Sequence, residues 1–209
     1  MRKIKARKVL AAVAVAVMVL VYPVSSQAFK IMQTEDGSAY IYGLRDPSIT
    51  FESWSGFTQE TRWAIDYASR QWNNRTGKTK LFHSVTQHNE ANKYAEKDGR
   101  NLITKVPTIA SQDGKTTLMR TSCNSTWNGS KYKLVEVDIM VNGSVPWRNN
   151  GSANGYDVQN AMTHEFGHML GLGHSDVAWA TMAEGSDPGE LWKRTIEQDD
   201  INGFNFLYS

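Results

Sequence analysis

The amino-acid sequence predicts an α+β fold, because two periodic helical segments flank a set of short strands. Residues 57–72 and 157–169 carry apolar side chains at intervals of three and four, which is the spacing of a helix with one buried face. Between them lie four short runs rich in β-forming residues, at 80–85, 102–106, 116–121 and 133–142. The sequence shows no internal repeat and no low-complexity linker to a second domain.

The first helix is predicted over residues 57–72. Thr58 is a suitable N-cap, because its hydroxyl can accept a hydrogen bond from a free amide of the first turn. Ile65, Ala68 and Trp72 share one face, which we expect to be buried.

A strand, a loop and a second helix follow one another in the last third of the chain. Residues 135–142 alternate like a half-buried strand, and residues 143–155 are rich in Gly, Asn and Ser, which indicates a loop. Asp157 is the expected N-cap of the second helix. The apolar stripe of this helix consists of Val158, Met162, Phe166 and Met169.

Residues 164–174 read HEFGHMLGLGH and carry the strongest chemical signal in the chain. His164 and His168 are four apart, so on a helix they lie on one face and can present two nitrogens to one ion, away from the apolar stripe. Gly171 can adopt positive φ and end the helix, which allows His174 to turn back towards the same ion. A histidine pair alone is more often structural, and the offsets of Gly171 and His174 are what favour a metal site.

Glu165 supplies the remaining group that zinc-dependent hydrolysis needs. It is too near His164 for both to ligate one ion from a straight helix, but it can reach a water bound to that ion, which suits a general base. Three protein nitrogens leave the fourth position of a tetrahedral ion open, and this distinguishes a catalytic from a structural zinc site. The motif therefore predicts metal-dependent hydrolysis.

These residues resemble the metzincin pattern H-E-x-x-H-x-x-G-x-x-H, and Ser175 after the third histidine resembles the matrixin branch, the matrix metalloproteases and their relatives. Met182, in Ala-Thr-Met, is similar to the methionine of the metzincin Met-turn. Residues 198–208 are similar to the last helix of matrixin catalytic domains, and residues 135–142 resemble the strand before the active-site helix of bacterial members. The likeness extends from about residue 135 to residue 209.

The resemblance implies a secreted zinc metalloendopeptidase that acts on proteins or peptides. Its fold would be a metzincin-like (zincin) α+β domain, a mixed sheet with a first helix, an active-site helix and a C-terminal helix. It implies His164, His168 and His174 as ligands of one catalytic Zn²⁺, and Glu165 as the catalytic general base. Bound Ca²⁺ is a further implication, for which the sequence identifies no ligands.

The chain also departs from the matrixin pattern. Cys123 is its only cysteine and does not match the propeptide cysteine that keeps many matrixins latent, so we interpret it as a buried or half-buried structural thiol. His83 and His88 are too few for the second, structural zinc, which we predict to be absent, and we interpret both as surface residues. Residues 183–185 read AEG where typical matrixins have Tyr or Pro, so a preference for large apolar substrate side chains cannot be carried over.

Residues 1–28 have the organisation of a secretory signal peptide: a basic start, an apolar run over 9–22 and the small-x-small sequence SQA. The alternative is an uncleaved anchor, but the run is shorter than the roughly 20 residues that span a bilayer. We expect cleavage after Ala28, a secreted, extracellular product, and one catalytic domain over 29–209. Residues 29–38 are a candidate pro-segment, in which Glu35 or Asp36 could cover the open position of the zinc.

Removal of the leader also changes the charge of the chain. The formal net charge is +2, but five basic and no acidic residues lie in the leader, so the remainder is −3. No basic patch is interleaved with aromatic residues, which argues against a nucleic-acid partner. We expect a monomer without a membrane partner after cleavage.

Two other functions remain open at the level of sequence. The first is a binding protein that keeps the zinc fold without turnover, against which the presence of Glu165 argues. The second is a zinc amidase acting on a non-protein substrate, because a zinc-activated water can attack many carbonyls.

Overall fold

A mixed, mostly parallel six-stranded sheet and three helices form the fold, as the α+β prediction requires. The computed structural model describes residues 28–46, 48–77, 81–111 and 114–209, with backbone only for Ser84 and Val85. The expected leader, apart from Ala28, lies outside the described residues. None of the described helices is both long and apolar enough to cross a membrane.

The strands are short and irregularly connected. In chain order they are β1 (Ile41–Leu44), β2 (Ile49–Trp54), β3 (Phe82–His88), β4 (Leu102–Val106), β5 (Met119–Trp127), β6 (Tyr132–Asn142), β7 (Trp147–Arg148) and β8 (Tyr156–Asp157). The main sheet has the order β1-β6-β4-β2-β3, with parallel neighbours throughout, and β5 runs antiparallel along β6. β7 and β8 form a separate two-stranded ladder before the second helix.

The helices are α1 (Gln59–Thr76), α2 (Val158–Met169) and α3 (Gln198–Tyr208), and a 3₁₀ turn, Trp192–Arg194, precedes α3. Thr58 caps α1 as predicted, its hydroxyl accepting from the amide of Thr61. The helix continues four residues beyond the predicted end and stops at Gly77, which adopts φ 69°. The predicted final helix is confirmed at α3.

Three strand predictions need correction. β1 and β2 are not among the predicted strands, and both pair with partners more than 30 residues away in the sequence. The strand predicted over 116–121 begins at Met119 and continues to Trp127, because its register with β6 extends that far. The prediction for β4 is confirmed to the residue.

The core fixes α2 between α1 and the sheet. Asp157 caps α2 through the amide of Asn160, and its predicted apolar stripe is buried. The Phe166 ring contacts the rings of Phe51 and Phe82, with centroids 5.3 and 4.7 Å away. Trp72 of α1 is fully buried, and its indole N–H donates to the Thr163 carbonyl at 2.9 Å. These contacts hold the helix that carries the histidine motif.

Candidate metal centre and active site

The chain reverses directly after α2. Helix α2 ends at Met169, and Gly171 takes φ 95°, a left-handed conformation that favours glycine. A Cβ at Gly171 would lie only 2.9 Å from Cα of Gly43, so the close approach of β1 also requires glycine here. The turn brings His174 back to the face of α2 that carries His164 and His168, as predicted.

The three histidines of the motif converge on one point. Their ligand nitrogens all lie within 4.8 Å of one another, and their ring centroids are 4.7 to 5.2 Å apart. Among the described residues, no other cluster of three or more His, Cys, Asp or Glu side chains could hold a metal ion. His164 is buried, His168 is half-buried and His174 is exposed, so the group is open to solvent on one side.

Backbone carbonyls orient two of these rings. Nδ1 of His164 lies 2.8 Å from the Thr181 carbonyl oxygen, and Nδ1 of His168 lies 2.7 Å from that of Leu172. A carbonyl can only accept, so each Nδ1 carries a proton, and in the neutral ring Nε2 then keeps its lone pair. This is how metal-binding histidines are commonly oriented. The donor set fits zinc, which takes three neutral imidazoles in catalytic sites and keeps a fourth position open.

Burial disfavours the charged form of the imidazoles. It lowers the pKa of His164, His168 and His174, well below the usual value for His164. The positive charge of Lys193 lowers all three further, and the carbonyl partners of His164 and His168 oppose the shift. Neutral imidazole is the form that binds a metal, so the site needs little reorganisation to accept one.

Glu165 lies beside the histidines with its carboxylate held by the sheet. The side chain is buried, and its Oε2 accepts a hydrogen bond from Oγ1 of Thr121 on β5 at 2.5 Å. Burial raises the pKa of Glu165, and the Thr121 hydrogen bond opposes that shift. The sequence analysis did not single out Thr121; only its place in a β-like run was visible.

Met182 lies against the motif helix. A Cβ at Gly167 would come within 2.1 Å of the Met182 sulfur, so the glycine between Phe166 and His168 is what admits the thioether. The amide of Ser175 donates to the Met182 carbonyl at 2.8 Å. This contact ties the turn that contains Met182 to the chain next to His174.

Asp200 of α3 supports the same turn. Its buried carboxylate accepts from the amides of Thr181 and Met182, at 2.8 and 3.0 Å, and from that of Glu197. The neighbouring Asp199 accepts from the Ser175 hydroxyl at 2.6 Å. Both acidic residues lie in the first turn of α3, where the helix dipole favours negative charge.

A cavity of about 220 Å³ adjoins the candidate metal centre. His164, Glu165 and His174 line it together with residues 115–119 and 184–186. Lys193 of the 3₁₀ turn also lines it. The cavity could receive a substrate side chain next to the reacting bond, and no local sequence signal identified Lys193 as part of it.

The remaining residues from the sequence analysis are not part of the histidine cluster. His88 is buried, contrary to the surface interpretation, because its Nε2 faces the Ile103 carbonyl of β4. Cys123 is half-buried, as predicted, and burial raises the pKa of its thiol to about 12. Asp36 accepts from the hydroxyls of Thr34 and Ser38 within its own turn.

Comparison with known proteins decides the family. The matrixin family model matches residues 47–209. The chain belongs to the matrixin family. The match covers the three helices, the candidate centre and every strand of the main sheet except β1, and the metzincin-like fold inferred from the motif is confirmed.

This matrixin is similar to several curated metalloproteinases over shorter stretches. It is 43% identical to Metalloendoproteinase 1 of Glycine max over 53 residues, which are 25% of this chain and 17% of that protein. It is 41% identical to Matrilysin of Homo sapiens over 58 residues, 28% and 22% of the two chains. Matrix metalloproteinase-19 of Homo sapiens is 34% identical over 94 residues, 41% and 18% of the two chains. The chain spans less than a quarter of the length of each of these relatives.

Proposed function

We propose that this matrixin is a zinc-dependent endopeptidase that hydrolyses peptide bonds in proteins. The observation that carries the proposal is the convergence of three neutral histidines, two of them oriented through Nδ1, beside a buried glutamate at the edge of a cavity. Family membership and the names of the relatives support the same activity. His164, His168 and His174 are the proposed ligands.

The proposed mechanism assigns the proton transfers to Glu165. Zinc, when bound, supplies a Lewis acid that activates an attacking water and polarises the scissile carbonyl. Glu165 accepts the proton of that water and then donates it to the leaving amine. Its raised pKa suits both transfers, because a carboxyl must be basic enough to take the proton and acidic enough to return it. The hydrogen bond from Thr121 holds the Glu165 carboxylate in one orientation during both transfers.

We also propose that the protein acts outside the cytoplasm as a single catalytic domain over residues 29–209. The basic and apolar organisation of residues 1–28 supports this. N-terminal sequencing of the protein recovered from the medium tests the cleavage after Ala28 and any further trimming within 29–38. Size-exclusion chromatography with light scattering tests the expected monomer.

The enzymatic proposal is tested by hydrolysis of casein and of a mixed-peptide digest, with and without a chelator. We expect cleavage of both that stops with chelator and returns with added zinc, together with one zinc per purified chain by metal analysis. A zinc-loaded protein that cleaves neither substrate but hydrolyses amide bonds in cell-wall material would support the amidase alternative. A zinc-loaded protein without any turnover would support the binding protein.

A further inference from the structure

Lys193 is a buried cation without a carboxylate partner. Its side chain lies in the 3₁₀ turn before α3 and is only 2% exposed. Within the described parts of the chain, no carboxylate oxygen lies within 4.0 Å of its ammonium nitrogen. Burying a charge is costly unless it is paired, so this lysine needs a physical explanation.

Backbone carbonyls satisfy only part of the hydrogen-bonding capacity of the Lys193 ammonium. Nζ of Lys193 donates to the carbonyls of Ala183 and Gly185, and it lies 5.1 Å from the centroid of the Trp192 ring. A lysine ammonium has three N–H donors, and these two carbonyls use two of them. One donor and the net charge therefore remain available to a ligand.

Lys193 contributes to the wall of the cavity beside the candidate metal centre. Lys193 and its carbonyl partner Gly185 both line that cavity, together with His164, Glu165 and His174. A group that enters the cavity would meet the charge of Lys193.

Glu184 does not neutralise the lysine. Its side chain is 63% exposed, and its carboxylate lies 3.5 Å from the ammonium of Lys115, which also lines the cavity. The two charges of this pair offset one another near solvent. Within the described residues, the carboxylates of Glu190, Glu165, Asp200 and Glu184 act on Lys193 only from beyond ion-pair distance. The apolar part of the lining, Leu118, Met119 and Ala161, can contact the methylene groups of an entering side chain.

We infer that this cavity is a specificity pocket in which Lys193 selects an acidic substrate side chain, such as glutamate, next to the scissile bond. The inference rests on the proposed peptidase function and names its substrate class. The cavity has room for several waters at roughly 30 Å³ each, and therefore for one side chain of medium size. A carboxylate would accept the third N–H and provide the missing countercharge.

The test uses peptides that differ at single positions around one cleavage site and carry Glu, its uncharged isostere Gln, or Leu. For the zinc-loaded wild type we expect kcat/KM for Glu to exceed that for Gln by about tenfold or more at one position, since a hydrogen bond between charged groups contributes about 1.5–3 kcal/mol. Lys193→Met should reduce this ratio to near one, and Lys193→Arg should keep a preference for Glu. Lys133→Met is the matched control: Lys133 also donates to a backbone carbonyl, that of Tyr42, but does not line the cavity.

A binding measurement tests the preference for an acidic side chain independently of peptide hydrolysis. In the zinc-loaded Glu165→Ala background, fluorescence anisotropy should show tighter binding of the Glu than of the Gln peptide, and Lys193→Met should abolish the difference. If the wild type hydrolyses peptides in a chelator-sensitive way but prefers Gln or Leu at every position, the inference is wrong and the peptidase proposal stands. If the wild type neither hydrolyses nor binds any of the peptides, both are wrong. A wild-type Glu to Gln ratio near one at every position refutes the inference even where a variant misfolds. Lys115→Met removes the other lysine of the same lining, and a ratio that depends on Lys115 instead of Lys193 would also refute it.

Discussion

Oγ1 of Thr121 lies 2.5 Å from Oε2 of Glu165, so strand β5 holds the carboxylate of a residue on helix α2 that is 44 positions later in the chain. The hydroxyl donates to a carboxylate that would otherwise have rotational freedom at the edge of the cavity. A hydrogen bond that restrains a general base keeps it in the geometry that proton transfer needs.

Replacement of Thr121 by valine should impair turnover without removing the metal. Valine keeps the shape of the side chain and removes the donor, so we expect kcat to fall about tenfold, in line with the roughly 1.5–3 kcal/mol of a hydrogen bond to a charged group. Thr121→Ser should restore most of the activity, because it restores the hydroxyl. Steady-state kinetics with metal analysis check this, with Thr126→Val on the same strand as the control. An unchanged kcat in Thr121→Val would refute the positioning role.

Much of this centre follows from local sequence. The caps of α1 and α2, the apolar stripe of α2 and the break at Gly171 depend on residues within a few positions of one another, and each was predicted. The convergence of the histidines also follows from their spacing along one helix and one turn.

The parts that the sequence did not reveal depend on contacts between distant segments. Thr121 meets Glu165 only because the register of β5 with β6 places it there. Lys193 enters the cavity through a 3₁₀ turn that has no periodic pattern. His88 at the end of β3 is buried with Nε2 facing the Ile103 carbonyl of β4, two strands away in the sheet, and no pattern around position 88 indicates that burial.

Loss of the Asp200 carboxylate should destabilise the protein strongly. Asp200→Ala would leave the buried amides of Thr181 and Met182, and that of Glu197, without their acceptor, at about 1–3 kcal/mol for each unsatisfied buried group. We expect the free energy of unfolding to fall by about 3 kcal/mol or more in urea titrations. The exposed Asp187→Ala should change it by less than about 0.5 kcal/mol. Equal stability of the two variants would contradict the role of Asp200.

Addition of one methyl group at Gly167 should disturb the contact between α2 and Met182. The new Cβ would lie 2.1 Å from the Met182 sulfur and 2.9 Å from a ring carbon of the buried Trp72, so both would have to move. Gly167→Ala should cost about 1–3 kcal/mol, the usual range for overpacking a core. Gly173→Ala serves as the control, since its nearest atoms would lie at an ordinary 3.4 Å. Thermal unfolding distinguishes the two variants, and a Gly167→Ala protein as stable as Gly173→Ala would show that the packing is looser than described.

Asp138 should make stability depend on pH in the acidic range. Burial raises the pKa of Asp138 to about 6, against hydrogen bonds from the amides of Leu102 and Glu96, and the nearby Glu136 and Asp98 carboxylates raise it further. The folded protein then holds a proton that the unfolded chain releases near pH 4. The contribution of Asp138 to the free energy of unfolding is therefore greatest below pH 4 and is lost as the pH rises through about 6.

The dependence can be isolated by substitution. Asp138→Asn cannot ionise, so the difference in unfolding free energy between it and the wild type should change by about 2–3 kcal/mol between pH 4 and pH 7, in the direction that favours the variant at pH 7. Urea titrations of the zinc-depleted proteins at each pH measure this without interference from metal binding. A difference that is independent of pH would mean that Asp138 keeps an ordinary pKa in the folded protein.

The central claim is that Glu165 moves protons during zinc-dependent peptide hydrolysis, while the three histidines alone retain the metal. The most direct measurement is peptide turnover by Glu165→Ala at a verified content of one zinc per chain, in parallel with the wild type. We predict that the variant binds zinc as the wild type does and loses at least 99% of its kcat, since general acid–base catalysis contributes about 10²–10⁴-fold. Substantial hydrolysis by the zinc-loaded variant would contradict the assignment of Glu165 and the mechanism built on it.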